Sequence, residues 1–328
     1  MKIEGIYSEK VKKFLERHYL IKVKEIDYFP IGEDGASYII KTRNKKYYCK
    51  VYNKFPIAYA SIRKIKITMD FLFCINKRFG FQNAPLPVKN KHRNVISKFK
   101  GHPVVLYNYI NGRNLRKLSK EDYKKLGRIL ANLHLINKKH FPKIKNEKID
   151  LEWEKRILKS IKELKKGRFH KDSNCGVLKK VILGNEGIFL KGISFLEKRV
   201  KYIHKKRKNY IISHNDLHWG NLMKGDDRIF LLDWDGLELA LPEKDLMFFL
   251  KGLKMNNTFW KEYISHRKHK IDKKALEYYV VRRLFSDITF FSRVILHTRV
   301  EKKRFKEYIK EIKSDINFLK RLEKVIGG

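Results

Sequence analysis

Acidic residues are scarce in this chain. Its 328 residues include 35 Asp and Glu against 77 Lys and Arg, a formal net charge of +42. A field of that sign attracts anionic ligands such as nucleotides and repels free cations. Cysteine is scarce as well. Cys49, Cys74 and Cys175 lie far apart, so their spacing implies neither a disulfide framework nor a cysteine metal site. No run of about 18 apolar residues occurs, so no helical membrane span is expected. The segment Met1-Lys2-Ile3-Glu4 has no apolar signal core. Internal repeats and low-complexity linkers are missing too. Together these absences predict a reducing, cytoplasmic location.

What is present suffices for a fold. Hydrophobic residues make up 43% and aromatics 13%, too much for a disordered polyelectrolyte and enough for one large domain or two lobes with cores. The lysines are spread along the chain, and many fall opposite apolar stripes. The gathered runs Lys205-Lys206-Arg207-Lys208 and Lys302-Lys303-Arg304 are short. This distribution reads as solvated helix faces. A nucleic-acid partner is the less favoured alternative, which the charge leaves open.

The apolar pattern predicts an α+β chain. A helix over 7–19 precedes two β-rich runs, 38–40 and 47–52, around the turn Arg43-Asn44-Lys45. A helix over 59–79 stops at Gly80. Pro85 and Pro87 then lead to strands near 94–99 and at Val104-Val105-Leu106-Tyr107, ended by the turn chemistry of Asn111-Gly112. Helical periodicity follows to residue 209, with a helix over 122–140 carrying Leu126, Ile129, Leu130 and Leu133 on one face. It breaks at 210–236, where Ile229-Phe230-Leu231-Leu232 reads as a short buried strand. Helices resume at Asp245 and persist to the end.

The chemistry concentrates in that break. In Ser213-His214-Asn215-Asp216-Leu217-His218-Trp219-Gly220-Asn221, an Asp is followed five residues later by an Asn and preceded at two by a His. That is a kinase-type catalytic-loop pattern. Asp233 follows at the end of the next strand. Phosphoryl transfer needs a carboxylate to take the acceptor's proton and oxygen ligands to hold Mg²⁺ against phosphates. Asp216 is the candidate base, and Asn221 and Asp233 are the candidate metal ligands. Lys50 lies on the second hairpin strand, on the face it shares with Tyr48. It reads either as a phosphate-reaching lysine or as a surface lysine on an edge strand. Gly32-Glu33-Asp34-Gly35-Ala36-Ser37 reads either as a phosphate-covering turn or as an ordinary one.

In His214 to Asn221, in Leu232-Asp233-Trp234-Asp235 and in Leu126-Gly127-Arg128-Ile129-Leu130-Ala131-Asn132-Leu133-His134, the chain resembles the aminoglycoside phosphotransferase family. Residues 239–248 look most like its spectinomycin phosphotransferase branch. The resemblance spans roughly residues 25–295 and is densest over 210–250. It implies a bilobal, protein-kinase-like fold, with a nucleotide-binding lobe over 1–108 and a catalytic, substrate-binding lobe over 109–328. It also implies ATP or GTP as co-substrate, Mg²⁺, and a small-molecule alcohol as acceptor.

Carried onto this chain, the resemblance makes Lys50 the phosphate lysine and Asp70 its helix partner, one methylene shorter than the family's glutamate. Gly32, Gly35 and Ser37 become the phosphate turn, and Leu106 and Asn108 belong to the hinge. His214 and Asp245 brace the catalytic loop. Asp235, Glu243 and Asp287, with Glu238, are the acids available to a cationic acceptor; Asp235 reads equally as a cap of the following turn, and Glu238 reads first as a helix cap or an ion-pair partner of lysine. An aminoglycoside or aminocyclitol is one acceptor class. Choline, homoserine, a sugar or the unknown substrate of a spore-coat-type relative is another. A basic nucleic-acid-binding scaffold on a kinase-like fold is a third reading.

Overall fold

A computed structural model of the chain describes residues 7–29, 35–53, 62–115, 117–168, 175–251 and 254–326. In chain order the elements are α1 (Ser8–Tyr19), β1 (Glu25–Phe29), β2 (Gly35–Lys41), β3 (Lys46–Tyr52), α2 (Ile62–Phe79), β4 (Ser97–Phe99), β5 (His102–Asn108), β6 (Gly112–Asn114) and α3 (Lys120–Leu135). Then come α4 (Glu152–Lys165), α5 (Cys175–Leu183), α6 (Glu186–Lys205), β7 (Ile211–Ser213), β8 (Leu222–Gly225), β9 (Ile229–Leu231), β10 (Glu238–Ala240), α7 (Glu243–Leu246), α8 (Asn257–His266), α9 (Lys273–His297) and α10 (Lys302–Arg321).

The chain divides into two compact units. The first comprises Met1–Asn146, Ile211–Leu239 and Met255–His269. The expected boundary at 108/109 therefore falls inside it. Its frame is an antiparallel five-stranded sheet in the order β1-β2-β3-β5-β4. Val11, Phe14, Leu15 and Tyr19 recur at helical spacing on α1 and pack into the core that Ile40, Cys49, Val51 and Leu106 build from the sheet. α2 ends at Gly80, whose φ of +66° a side chain would resist. α3 starts with a capping box, in which Ser119 and Asp122 satisfy each other's backbone N–H groups.

A three-stranded sheet in the order β6-β8-β9 follows the polar segment 213–221, which runs directly into β8. Gly112 was expected to turn. It instead begins β6, where a Cβ would come within 2.5 Å of the Lys224 carbonyl oxygen. Asn83 anchors β9 from both sides: its carbonyl accepts from Leu231 N at 2.8 Å and its Nδ2 donates to Ile229 O at 2.8 Å.

The second unit comprises Glu147–Tyr210, Ala240–Lys254 and Lys270–Gly328. α9 runs through its core, with α4, α6 and α10 packed on it. Gly192 on α6 makes room for the Phe285 ring, which a Cβ would meet at 2.6 Å. Glu147, fully buried, accepts from Lys244 Nζ at 3.0 Å and from the Tyr279 hydroxyl.

Glu154 on α4 is only 1% exposed, and neither carboxylate oxygen has a hydrogen-bond partner. Burial pushes its pKa above the ordinary glutamate value, against the pull of Arg282. A carboxyl whose folded pKa is raised supports the fold below its unfolded pKa, and that support fades as pH rises through the folded value. Glu154→Gln is therefore expected to raise stability at pH 8 by about 1–2 kcal/mol, the scale of an unmet buried polar group. It should change little near pH 4. Denaturant midpoints at the two pH values check this; equal shifts at both would contradict it.

Candidate active site

The segment 213–221 leaves β7 as a polar loop and returns into β8. His214 is fully buried and holds two loops together. Its Nδ1 accepts from Asp216 N at 3.3 Å, so its Nε2 carries the proton and donates to Leu232 O at 2.9 Å. One imidazole thus ties the candidate base to the residue before Asp233. Trp234 covers the His214 ring at 4.5 Å between centroids, and its Nε1 donates to Leu231 O at 2.7 Å. Phe71 of α2 also packs on Trp234, at 5.7 Å between ring centroids.

Asn221 spends both amide protons on Asp216. Its Nδ2 donates to Asp216 O at 2.8 Å and to Oδ2 at 3.0 Å. This fixes the amide's orientation and turns Oδ1 away from Asp216, as the atom available to an incoming cation. His218 accepts from Gly220 N through Nδ1 at 3.0 Å, which leaves Nε2–H facing Asp216 Oδ2 at 3.5 Å. The Asp216 carboxylate is held in place while remaining about one-third exposed, at 32%.

Two residues here adopt the left-handed region: Asn215 at φ +73° and Asp233 at φ +58°. Asn and Asp tolerate it better than other side chains, and such strain concentrates at functional sites. Gly236 lets the two loops approach, since a Cβ there would lie 2.9 Å from His214 O. The sequence reading had given Gly236 no role; its signal was the Asp235-Gly236 pair.

Lys50 extends from β3 to the Asp233 loop. Its Nζ sits 2.9 Å from Asp235 Oδ2 and 3.5 Å from Asp233 Oδ1. The Lys50 and Asp235 side chains are 16% and 15% exposed, whereas Asp233 is half-exposed at 48%. Tyr52 adds a hydroxyl hydrogen bond to Asp235 Oδ1 at 3.3 Å. Burial opposes the Lys50 charge, but Asp233 and Asp235 outweigh it and hold its pKa well above the ordinary lysine value. Burial also opposes the Asp235 charge, and Lys50 overcomes it and depresses the Asp235 pKa. Asp233 goes the other way. Lys50 pulls it down, but burial and the Asp235 and Asp216 carboxylates push it up. In a chain with an excess of 42 positive charges, these three carboxylates form a local negative field.

Among the described residues no group of three His, Cys, Asp or Glu side chains is arranged to hold a metal alone. The donors present are instead one carboxylate, of Asp233, and one amide oxygen, of Asn221, with Lys50 beside Asp233. Mg²⁺ is held this way where phosphates and water complete its octahedron.

The other expected residues fall as follows. Gly35 opens β2 opposite Tyr52, where a Cβ would meet Val51 O at 2.1 Å, so close strand packing accounts for the glycine. Ser37 pairs in register with Lys50, and its Oγ bonds the Tyr48 hydroxyl at 2.7 Å. Leu106 is fully buried and its carbonyl accepts from Val88 N at 2.7 Å; Asn108 N donates to Leu86 O at 3.2 Å. Gly32 lies outside the described residues.

Asp70 does not meet Lys50. It is 48% exposed and pairs with Lys66, one helical turn away, at 2.7 Å. In the second unit, Glu243 is 1% exposed and accepts from Asp272 N at 2.9 Å, while Asp287 pairs with Arg283 at 2.7 Å. Asp245 is fully buried on α7, and Glu238 is partly buried on β10.

A five-stranded antiparallel sheet delivering a lysine to two such loops, with a helical C-terminal part, is the fold of a kinase-like phosphotransferase. The chain belongs to the phosphotransferase enzyme family (APH), whose model matches residues 25–269. Among solved structures it is similar to the spectinomycin phosphotransferase APH(9)-Ia in complex with ADP and spectinomycin, with a TM-score of 0.78 and 19% identity over 96% of this chain and 98% of that one. It is similar to a microcompartment-associated aminopropanol kinase, with a TM-score of 0.68 and 14% identity over 97% and 98%. A choline kinase from Cryptosporidium parvum Iowa II gives 0.57 and 17% over 98% of each chain. At these identities the likeness is one of fold. No curated protein matches the sequence. No helix among the described residues is long and apolar enough to cross a membrane.

Proposed function

We propose that the chain transfers the γ-phosphoryl group of a nucleoside triphosphate to a hydroxyl group of a small molecule. The carrying observation is the Asp216 carboxylate, oriented by Asn221 at 3.0 Å yet open to solvent, beside the loop where Lys50 faces Asp233 and Asp235. Asp216 takes the acceptor's hydroxyl proton. The acceptor oxygen bonds to the γ-phosphorus as the bond to the bridging oxygen breaks, and the nucleoside diphosphate leaves with that electron pair. Lys50 faces the phosphates. Asp233 and the Asn221 Oδ1 would hold Mg²⁺, which when bound neutralises phosphate charge. Relatives of the same fold solved with ADP, with AMP, and with AMP-PNP and Ca²⁺ support a nucleotide co-substrate.

For the acceptor we favour a small alcohol, without narrowing it to an aminoglycoside or aminocyclitol. Glu243, Asp287 and Asp235 were the acids expected to face a cation, and each is engaged by the protein itself. The test incubates the protein with Mg²⁺ and ATP or GTP against spectinomycin, aminoglycosides, choline, aminopropanol, homoserine and sugars. Mass spectrometry should find one acceptor heavier by one phosphate. Nucleotide binding absent under every condition, with steep salt-dependent binding to unrelated DNA, would favour the scaffold reading instead.

A further inference from the structure

Between residues 42 and 120 the only carboxylate in the sequence is Asp70, and the structure commits it to Lys66 on the exposed face of α2. Lys50 therefore has no acidic partner on α2 to hold it. Met69 is buried there and its Sδ accepts from the Tyr107 hydroxyl at 3.1 Å. A largely buried ammonium without a fixed partner would be costly and mobile. The partner comes from the far end of the unit, 185 residues along the chain, as Asp235 at 2.9 Å.

We infer that Asp235, steadied by the Tyr52 hydroxyl, is the positioning residue that aims Lys50 at the nucleotide phosphates, replacing a helix-borne acid. The inference rests on the phosphotransferase reading above. Two observations carry it. The contact is well sheltered, with both side chains at about 15% exposure, so its geometry persists where an exposed pair would be screened. Asp235 is also held from the opposite side by Tyr52, fully buried at the end of the same strand as Lys50. Lysine, acid and tyrosine thus form a closed arrangement between β3 and the loop after β9. Because Asp235 lies two residues from Asp233, the same short loop sets both the lysine and the metal-facing carboxylate. α2 meets this loop through the packing of Phe71 on Trp234 rather than through an ion pair to the lysine.

A double-mutant cycle tests this, because residues acting through one another are not additive. Calorimetry measures ATP binding in Mg²⁺ for the wild type, Lys50→Met, Asp235→Ala and the double variant. Asp235→Ala is expected to weaken binding about tenfold alone and less than twofold in the Lys50→Met background, with the Mg²⁺ half-saturation unchanged. Asp235→Asn keeps an acceptor of the same length. It should lose only about threefold and follow the same non-additive pattern, so the cycle stands even if the alanine variant folds poorly. Losses that multiply, with a raised Mg²⁺ requirement, would overturn the inference and make Asp235 an independent metal ligand. A wild type that binds neither ATP nor GTP would instead remove the phosphotransferase reading, and this inference with it.

Discussion

Asp216→Asn is expected to lower phosphoryl transfer by about 10³- to 10⁴-fold, the upper range for a positioned general base, while nucleotide affinity stays within about twofold. The two roles open to Asp216 separate cleanly in this variant. As loop glue, Asp216 accepts from the Asn221 amide at 3.0 Å and faces the His218 Nε2–H at 3.5 Å. An asparagine carbonyl preserves both contacts. As a base it must take a proton, which an amide does not do. Structural importance alone therefore predicts near-normal activity, and base chemistry predicts near-complete loss of turnover. Rates under saturating nucleotide and acceptor, with parallel nucleotide calorimetry, decide between them.

Asp233→Asn is expected to weaken Mg²⁺-nucleotide binding on the order of 30- to 100-fold, about 2–2.7 kcal/mol, and to raise the Mg²⁺ concentration needed for half-maximal binding. Asparagine is the informative replacement because Asp233 sits at φ +58°, a conformation asparagine also accepts. The same substitution removes a negative charge from a crowded site. Asp235 and Asp216 push the Asp233 pKa upward despite Lys50, so the variant should keep or slightly gain thermal stability. Lost function with retained stability is the signature of a group placed for its ligand. Unchanged Mg²⁺-nucleotide affinity would contradict the metal assignment.

What could be read from the sequence divides along the range of the interactions. The loop 213–221 and Asp233 were legible because their polar residues stand in a fixed order beside an apolar strand run, and β9 forms where that run predicts. The hairpin at 38–52 was legible too, and Lys50 lies on its second strand with Ser37 across from it. The partner of Lys50 was not. The family resemblance offered Asp70, but a lysine four residues away on the same helix claims it. The true contact, with Asp235, spans 185 residues and leaves no periodic trace.

β1 also escaped, because the alternation of Glu25-Ile26-Asp27-Tyr28 is too short to stand out in a mostly exposed edge strand. The helix expected over 122–140 stops at Leu135, and a short 3₁₀ turn takes up Lys138–His140. The division at 108/109 is drawn along the sequence, whereas the compact units interleave distant segments. β7 to β9 and α8 return to the first unit from late in the sequence, and no composition shift along the chain announces such a return.

The most direct test of the central claim is a crystal structure of the protein soaked with Mg²⁺ and a non-hydrolysable ATP analogue. The account predicts a metal bound by an Asp233 oxygen and the Asn221 Oδ1, phosphates facing Lys50, and the Asp216 carboxylate free of the metal and pointing toward the terminal phosphate. A nucleotide bound elsewhere, or a metal that ignores both Asn221 and Asp233, would contradict it.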